Sequence, residues 1–217
     1  MSSDLQEYVG KDLVVYFDGK RCIHSRNCIL GHPKAFIANA DGPWIHPDAA
    51  NAEELAALIR SCPSGALSYH RRDDGLEEQP PLKNVLRIRE NGPYAFTGTV
   101  EIAGQVDATR ATLCRCGASK TKPYCDGSHH EAGFQATGEP APPAAPEAPM
   151  HRAPLGITPT RNGPLLVQGP LEIVSGTGRN LARVEKAVLC RCGASKTKPY
   201  CDGSHVSTGF SDGGPAA

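Results

Sequence analysis

The segment LCRCGASKTKPYCDGSH, residues 113–129, recurs without a change at residues 189–205. A duplication this strict makes the chain an internal repeat, and repeated units are expected to bury their apolar faces against one another. The copies extend outward more loosely. Asn91, Gly92 and Pro93 match Asn162, Gly163 and Pro164, and Gly98, Glu101 and Ile102 match Gly169, Glu172 and Ile173. The upstream matches sit 71 positions apart and the cysteines 76, so the second copy carries five extra residues ahead of its cysteines. Both copies end on a Gly-Phe pair, Gly133-Phe134 and Gly209-Phe210.

The repeat divides the chain. Residues 1–78 precede it, residues 82–134 hold the first copy and residues 155–210 the second. Pro140, Pro142, Pro143, Pro146, Pro149 and Pro154 make residues 135–154 read as an extended, polyproline-type linker. Residues 211–217 read as a disordered tail. In the first unit, residues 13–17 form an apolar, β-rich run. Asn51 with Glu54 resembles a capping box. Leu55, Leu58 and Ile59 then share a helical face up to Arg60, Cys62-Pro63 stops the helix, and residues 66–70 return as a strand. Each copy opens on alternating strands: residues 85–88, 94–97 and 99–102, then residues 165–167 and 171–174. The expected class is α+β, a small βαβ domain followed by two β-rich units.

Leu, Ile, Val and Phe supply only 41 of 217 residues, thin for a self-sufficient core, so stability should come from disulfides or metals. The N-terminus MSSDLQEYVG has acids where a signal peptide has bases, which suggests a reducing cytoplasm where structural disulfides are rare. Nine cysteines cannot all pair, and they fall into three groups of three: 22/28/62, 114/116/125 and 190/192/201. Metal sites are the remaining explanation. No apolar run approaches a membrane span. Lys+Arg and Asp+Glu are 23 each, so no global charge invites nucleic acid or an anionic membrane.

In the repeat, Cys114 and Cys116 put two thiolates on one turn, and Cys125 and His129 follow across a loop containing Ser119 and Pro123. Gly127 permits a tight turn. Three sulfurs and one imidazole suit zinc or an iron–sulfur cluster, and spacing alone leaves both open, with inert thiols as the plain alternative. Asp126 caps a turn or orients a ligand from outside, as Asp202 does in the second copy; Ser128 and Ser204 are candidates for the same support. Arg115, Lys120 and Lys122, with Arg191, Lys196 and Lys198, read as a basic rim: ordinary solvated charge, or a docking surface for an acidic redox partner.

Cys114-x-Cys116-x2-Ser119-x3-Pro123-x-Cys125-Asp126-Gly127-Ser128-His129 matches the CDGSH iron–sulfur signature at every defined position. So does Cys190-x-Cys192-x2-Ser195-x3-Pro199-x-Cys201-Asp202-Gly203-Ser204-His205. The chain resembles a NEET-type protein with two motifs. The resemblance implies one 2Fe–2S cluster on Cys114, Cys116, Cys125 and His129, and another on Cys190, Cys192, Cys201 and His205. It also implies that the copies pair within the chain as a pseudo-dimer, and that the protein is a monomer. Imidazole in place of one thiolate would raise the potential and make cluster retention acid-sensitive.

In the N-terminal unit, Cys22-x5-Cys28 precedes a distant Cys62-Pro63. Bacterial ferredoxins use Cys-x2-Cys-x2-Cys with a distant Cys-Pro; here the middle position is Ser25. With the CPSGAL phrase at residues 62–67 and PKAF at residues 33–36, the unit resembles a divergent single-cluster ferredoxin domain over residues 13–70. Three thiolates suffice for a 3Fe–4S cluster, and a 4Fe–4S cluster needs a fourth ligand, for which His24 and Ser25 are nearest. Three buried cysteines are the plain alternative. Trp44 and Phe36 read as core; His130 is Val206 in the second copy, and His32, His46, His70 and His151 lack motif support.

The resulting expectation is a multi-cluster electron carrier, not an enzyme. Electrons would pass between the N-terminal cluster and the 2Fe–2S pair, and on to a redox partner. Cluster donation to an apo iron–sulfur acceptor, redox or pH sensing, and a structural zinc module are its rivals. Neither nucleic acid nor membrane is an expected partner.

Overall fold

The computed structural model describes residues 5–106, 109–142, 147–149 and 151–212. They form two compact units that divide between Gln79 and Pro80.

The first unit holds a three-stranded sheet of β1 (Leu5–Val9), β2 (Leu13–Asp18) and β3 (Leu67–Arg71), in the order β1-β2-β3. All pairings are antiparallel, so β2 and β3 are not the parallel pair of a βαβ crossover. Two helices fill the interval, α1 (Asn27–Gly31) and α2 (Ala52–Arg60). The start of α2 lies where the capping pattern puts it: the Asn51 side chain accepts from the Glu54 amide at 2.9 Å. Leu55, Ala56 and Ile59 face the sheet, packing on Leu13, Val15, Phe36, Ile45 and Leu67. Phe36 is core as expected. Trp44 is only half-buried, edge-on to Phe17 at 4.9 Å.

The second unit is one sheet made by both copies. The first copy supplies β4 (Val85–Ile88), β5 (Tyr94–Thr97), β6 (Val100–Ile102), β7 (Gln105–Val106) and β8 (Arg110–Leu113). The second supplies β9 (Leu155–Pro159), β10 (Leu165–Val174) and β11 (Asn180–Leu189), followed by α3 (Ser204–Ser207). The two runs expected at residues 165–167 and 171–174 are thus one strand, bent by a register shift between Gln168 and Leu171. The copies exchange strands reciprocally. β6 pairs parallel with β9, Glu101 opposite Gly156 and Ile102 opposite Ile157. The far half of β10 pairs parallel with β4, Glu172 opposite Val85 and Ile173 opposite Leu86. Adding 71 to Glu101 gives Glu172, and adding 71 to Val85 gives Gly156, so the two pairings share one register. Leu86, Ile88, Phe96, Leu155, Ile157, Leu165 and Val167 meet in a single core. Sharing it lets each copy bury side chains worth roughly 1.5–3 kcal/mol apiece that it could not cover alone.

Part of the expected linker is docked. The Gly176 amide donates to the Gly138 carbonyl at 2.8 Å, and the Asn91 and Ala136 amides donate across to Ala136 O and Asn91 Oδ1. Residues 143–146 and Met150 lie outside the described residues. The expected disordered tail also begins inside the fold: Asp212 exchanges hydrogen bonds with Asn162 and pairs with Arg191. Residues 213–217 lie outside the described residues.

Candidate metal centres

Each repeat carries its four candidate ligands in the segment that follows one strand, β8 in the first copy and β11 in the second. Cys114 follows β8, and its amide donates to Pro123 O at 2.8 Å while the Cys125 amide donates to Thr112 O at 3.0 Å. These bonds fold the loop back and bring Cys125 beside the strand. The second copy repeats them, Cys190 to Pro199 at 2.8 Å and Cys201 to Val188 at 2.9 Å. Cys114 and Cys116 stand with sulfurs 3.7 Å apart, and Cys125 Sγ lies 3.4 Å from His129 Nδ1. The second copy gives 3.7 Å for Cys190 and Cys192, and 3.4 Å for Cys201 and His205 Nδ1. The donors therefore stand as two pairs per site. Among the described residues no three His, Cys, Asp or Glu side chains form a group that could hold one metal ion.

Backbone amides face the sulfurs. Ala118 N donates to Cys116 Sγ at 3.4 Å and Gly127 N to Cys125 Sγ at 3.5 Å, with Ala194 and Gly203 doing the same in the second copy. Gly127 and Gly203 sit at φ +88, the left-handed turn that glycine permits. Asp126 accepts from the Lys120 and Ser128 amides, and Asp202 from Lys196 and Ser204, so each carboxylate closes its ligand loop. Burial pushes the Cys125 thiol up to about 11, so an incoming metal must displace its proton. His129 is buried and held below its usual range, first by that burial and then by His130, whose ring lies 4.1 Å away.

Two members of the expected basic rim are not on a surface. Arg115 and Arg191 are each 1% exposed. Arg115 donates to Arg89 O and Thr137 O and lies over the Tyr94 and Phe134 rings. Arg191 donates to Gly163 O and Thr160 O, pairs with Asp212 and lies over Phe210. Each guanidinium pins its own Asn-Gly-Pro turn and trailing Gly-Phe segment to the cysteine loop. Lys122 and Lys198 bend back onto the Ser119 and Ser195 carbonyls. Tyr94, which no motif signals, donates to both Cys190 O and Pro199 O at 2.9 Å.

In the first unit Cys22, Cys28 and Cys62 line one cavity of about 400 Å³, walled by Ile23, Ile29, Trp44 and Leu67. On the same measure a single water needs about 10–15 Å³, so the space suits a group larger than one ion. His24 and Ser25, the candidate fourth ligands, line it too. The loop between the first two cysteines is wound tightly, His24 and Arg26 both having left-handed φ of 52 and 63. Asn27 ties it to the Ser61 carbonyl at 2.9 Å, beside Cys62. Burial, then repulsion from Cys62, raises the thiols of Cys22 and Cys28. Ser64, in the CPSGAL phrase, touches Cys62 Sγ at 3.6 Å.

Three cysteine groups, two completed by histidine and none joined by a disulfide, define an iron–sulfur protein. Residues 8–72 match the family model described as "Divergent 4Fe-4S mono-cluster", and residues 91–130 and 162–206 each match "Iron-binding zinc finger CDGSH type". The uncharacterized protein YjdI of Escherichia coli strain K12 is 40% identical over 65 residues, covering 30% of this chain and 84% of that protein. YjdI of Escherichia coli O157:H7 matches to the same extent. The chain belongs to the divergent 4Fe-4S mono-cluster family through its N-terminal unit, and joins to it two CDGSH iron-binding regions. No solved structure matches it.

Proposed function

We propose that the chain is an electron carrier with three centres: a 2Fe–2S cluster on each CDGSH site and a 3Fe–4S or 4Fe–4S cluster on Cys22, Cys28 and Cys62. The observation that carries this reading is the pairing of donors, Cys114 with Cys116 and Cys125 with His129, repeated in the second copy. Two donors per iron is what a binuclear cluster needs, whereas zinc needs four about one point. When bound, each cluster would take up and release one electron. The chain's own part is to aim amides at the sulfurs, to shield the first site, and to hold the two sites in one sheet as an intramolecular pseudo-dimer. Nine cysteines with no disulfide among them suit a reducing cytoplasm. Among the described residues no helix is long and apolar enough to cross a membrane. A carrier of this kind serves a redox partner protein, and no role as an enzyme is needed. Anaerobic purification with iron and sulfide counts, electron paramagnetic resonance and repeated reduction tests it. Clusters that do not survive a cycle of reduction and reoxidation end the electron-transfer reading.

One observation favours cluster donation as a second role. Cys201 and His205 are half-buried, while Cys125 and His129 are buried. The second site is then the one to give up its cluster to an apo acceptor. Transfer slowed by His205→Cys but untouched by His129→Cys is the expected result, and equal slowing by both removes the distinction.

A further inference from the structure

The two CDGSH copies are identical over seventeen residues, yet their buried arginines are not equally compensated. Arg191 is paired with Asp212, and both side chains are 1% exposed. At the position corresponding to Asp212 the first copy has Ala136, 76 residues earlier, with the matching backbone bond to Asn91 in place of Asn162. Arg115 has only neutral partners, the Arg89 and Thr137 carbonyls and the Tyr94 hydroxyl. Its Nε finds no acceptor among the described residues, and Glu90 acts on it from beyond ion-pair distance.

Each of these charges faces the other copy's site. Arg115 lies 5.6 Å over the Tyr94 ring, whose hydroxyl reaches Cys190 O. Cys190 acts electrostatically on Arg115, and Cys114 on Arg191. The loops touch here as well, Gly117 against the Cys192 backbone and Gly193 against Cys116. A desolvated positive charge favours the more negative, reduced form of a nearby centre. Arg89, which acts on Cys125 and His129 and is Thr160 in the second copy, pulls the other way. It is half-buried and so more screened than the two buried arginines.

We propose that the Arg191–Asp212 ion pair, present in one copy and missing from the other, makes the two CDGSH centres unequal in potential. The centre on Cys190, Cys192, Cys201 and His205 lies higher than the one on Cys114, Cys116, Cys125 and His129. The proposal rests on the two-cluster reading above and gives electron flow a direction, from the first site to the second. Asp212 and Ala136 are positioning residues; neither touches a cluster donor.

The test is a reductive titration of the full, cluster-loaded chain, followed by visible absorbance and electron paramagnetic resonance. His129→Cys and His205→Cys assign the two steps, since each lowers its own. The two CDGSH centres of the wild-type protein should titrate as two separate steps, apart from that of the N-terminal centre. Asp212→Asn should raise the lower step and leave the upper, and Ala136→Asp should lower the upper and leave the lower. Asp212→Asn strips a buried guanidinium of its partner, so Ala136→Asp carries the test if that variant does not fold. Potentials unmoved by the substitutions, or a shift in the opposite step, overturn the proposal. A chain without iron and sulfide overturns the two-cluster reading first, and the proposal with it.

Discussion

The hydroxyl of Tyr94 reaches from a strand of the first copy into the ligand loop of the second, donating to the Cys190 carbonyl at 2.9 Å. Its reciprocal does not exist, because the matching position in the second copy is Leu165. Tyr94 is fully buried and its phenol is held far above the usual range, first by that burial, so it remains a donor at any working pH. One side chain therefore props one of two loops that are identical in sequence.

Removing that hydroxyl should be felt on one side only. Tyr94→Phe leaves Cys190 O and Pro199 O without this donor. The expected cost is about 1–3 kcal/mol in the stability of the repeat unit. Under aerobic challenge the half of the CDGSH absorbance that belongs to the second site should fade faster than in wild type, and the other half at the wild-type rate. Uniform acceleration of both halves counts against an asymmetric role for Tyr94.

At Gly117 and Gly193 the cysteine loops of the two copies meet backbone to backbone. A Cβ on Gly117 would stand 2.6 Å from Cys192 O, and one on Gly193 2.5 Å from Cys116 O. Both contacts are to backbone, which cannot swing aside as a flexible side-chain tip can. The glycines also hold φ of +82 and +80, which costs a side-chain-bearing residue roughly 1–2 kcal/mol by itself. Gly117→Ala should lower iron per chain at both CDGSH sites and lower the melting midpoint. A variant that keeps its full iron and midpoint shows that the loops do not depend on this contact.

The duplication made the strand pattern readable, since Leu86 and Ile88 alternate with outward residues and the second copy repeats the phrase. The candidate ligands are legible for the same reason: cysteine and histidine at fixed spacing carry their chemistry in their identity. What escaped depended on the partner copy. Residues 165–174 looked like two strands because Gly169 and Pro170 interrupt them, yet one strand runs through by changing partners from β9 to β4. Arg115 and Arg191 looked like surface charge, and only the folded chain shows carbonyls, aromatic rings and Asp212 closing over them. Strand β1 has Gln6 and Glu7 among its few residues and is held by β2, not by its own propensity.

Ser25 stands where a single-cluster ferredoxin pattern would place its middle cysteine, a fourth thiolate here, and it lines the same cavity as Cys22, Cys28 and Cys62. Ser25→Cys should therefore raise the iron retained by the N-terminal unit after exposure to air. Ser25→Ala and His24→Ala then identify the fourth ligand. The one that converts a four-iron electron paramagnetic resonance signal to a three-iron signal supplies it. If the wild-type signal is already that of three irons and neither substitution alters it, the centre holds three irons on three cysteines.

Glu139 links the docked part of the proline-rich segment to the turn after β10. Its carboxylate accepts from Thr177 Oγ1 at 2.7 Å and the Thr177 amide at 3.1 Å, with Arg179 at 3.3 Å. Hydrogen bonds from Thr177, then Ser175, hold it down to about 2, below its ordinary value of 4.5. A carboxylate lowered on folding stabilises the native state above its unfolded value, and that contribution disappears as pH falls toward the folded value. Glu139→Gln should therefore melt below wild type at pH 6. The gap should close between pH 5 and pH 2, because wild type loses what the variant never had. Thermal midpoints followed by near-ultraviolet circular dichroism measure it. A gap that stays constant down to pH 2 rules out ionisation of Glu139 as the source of the tether's strength.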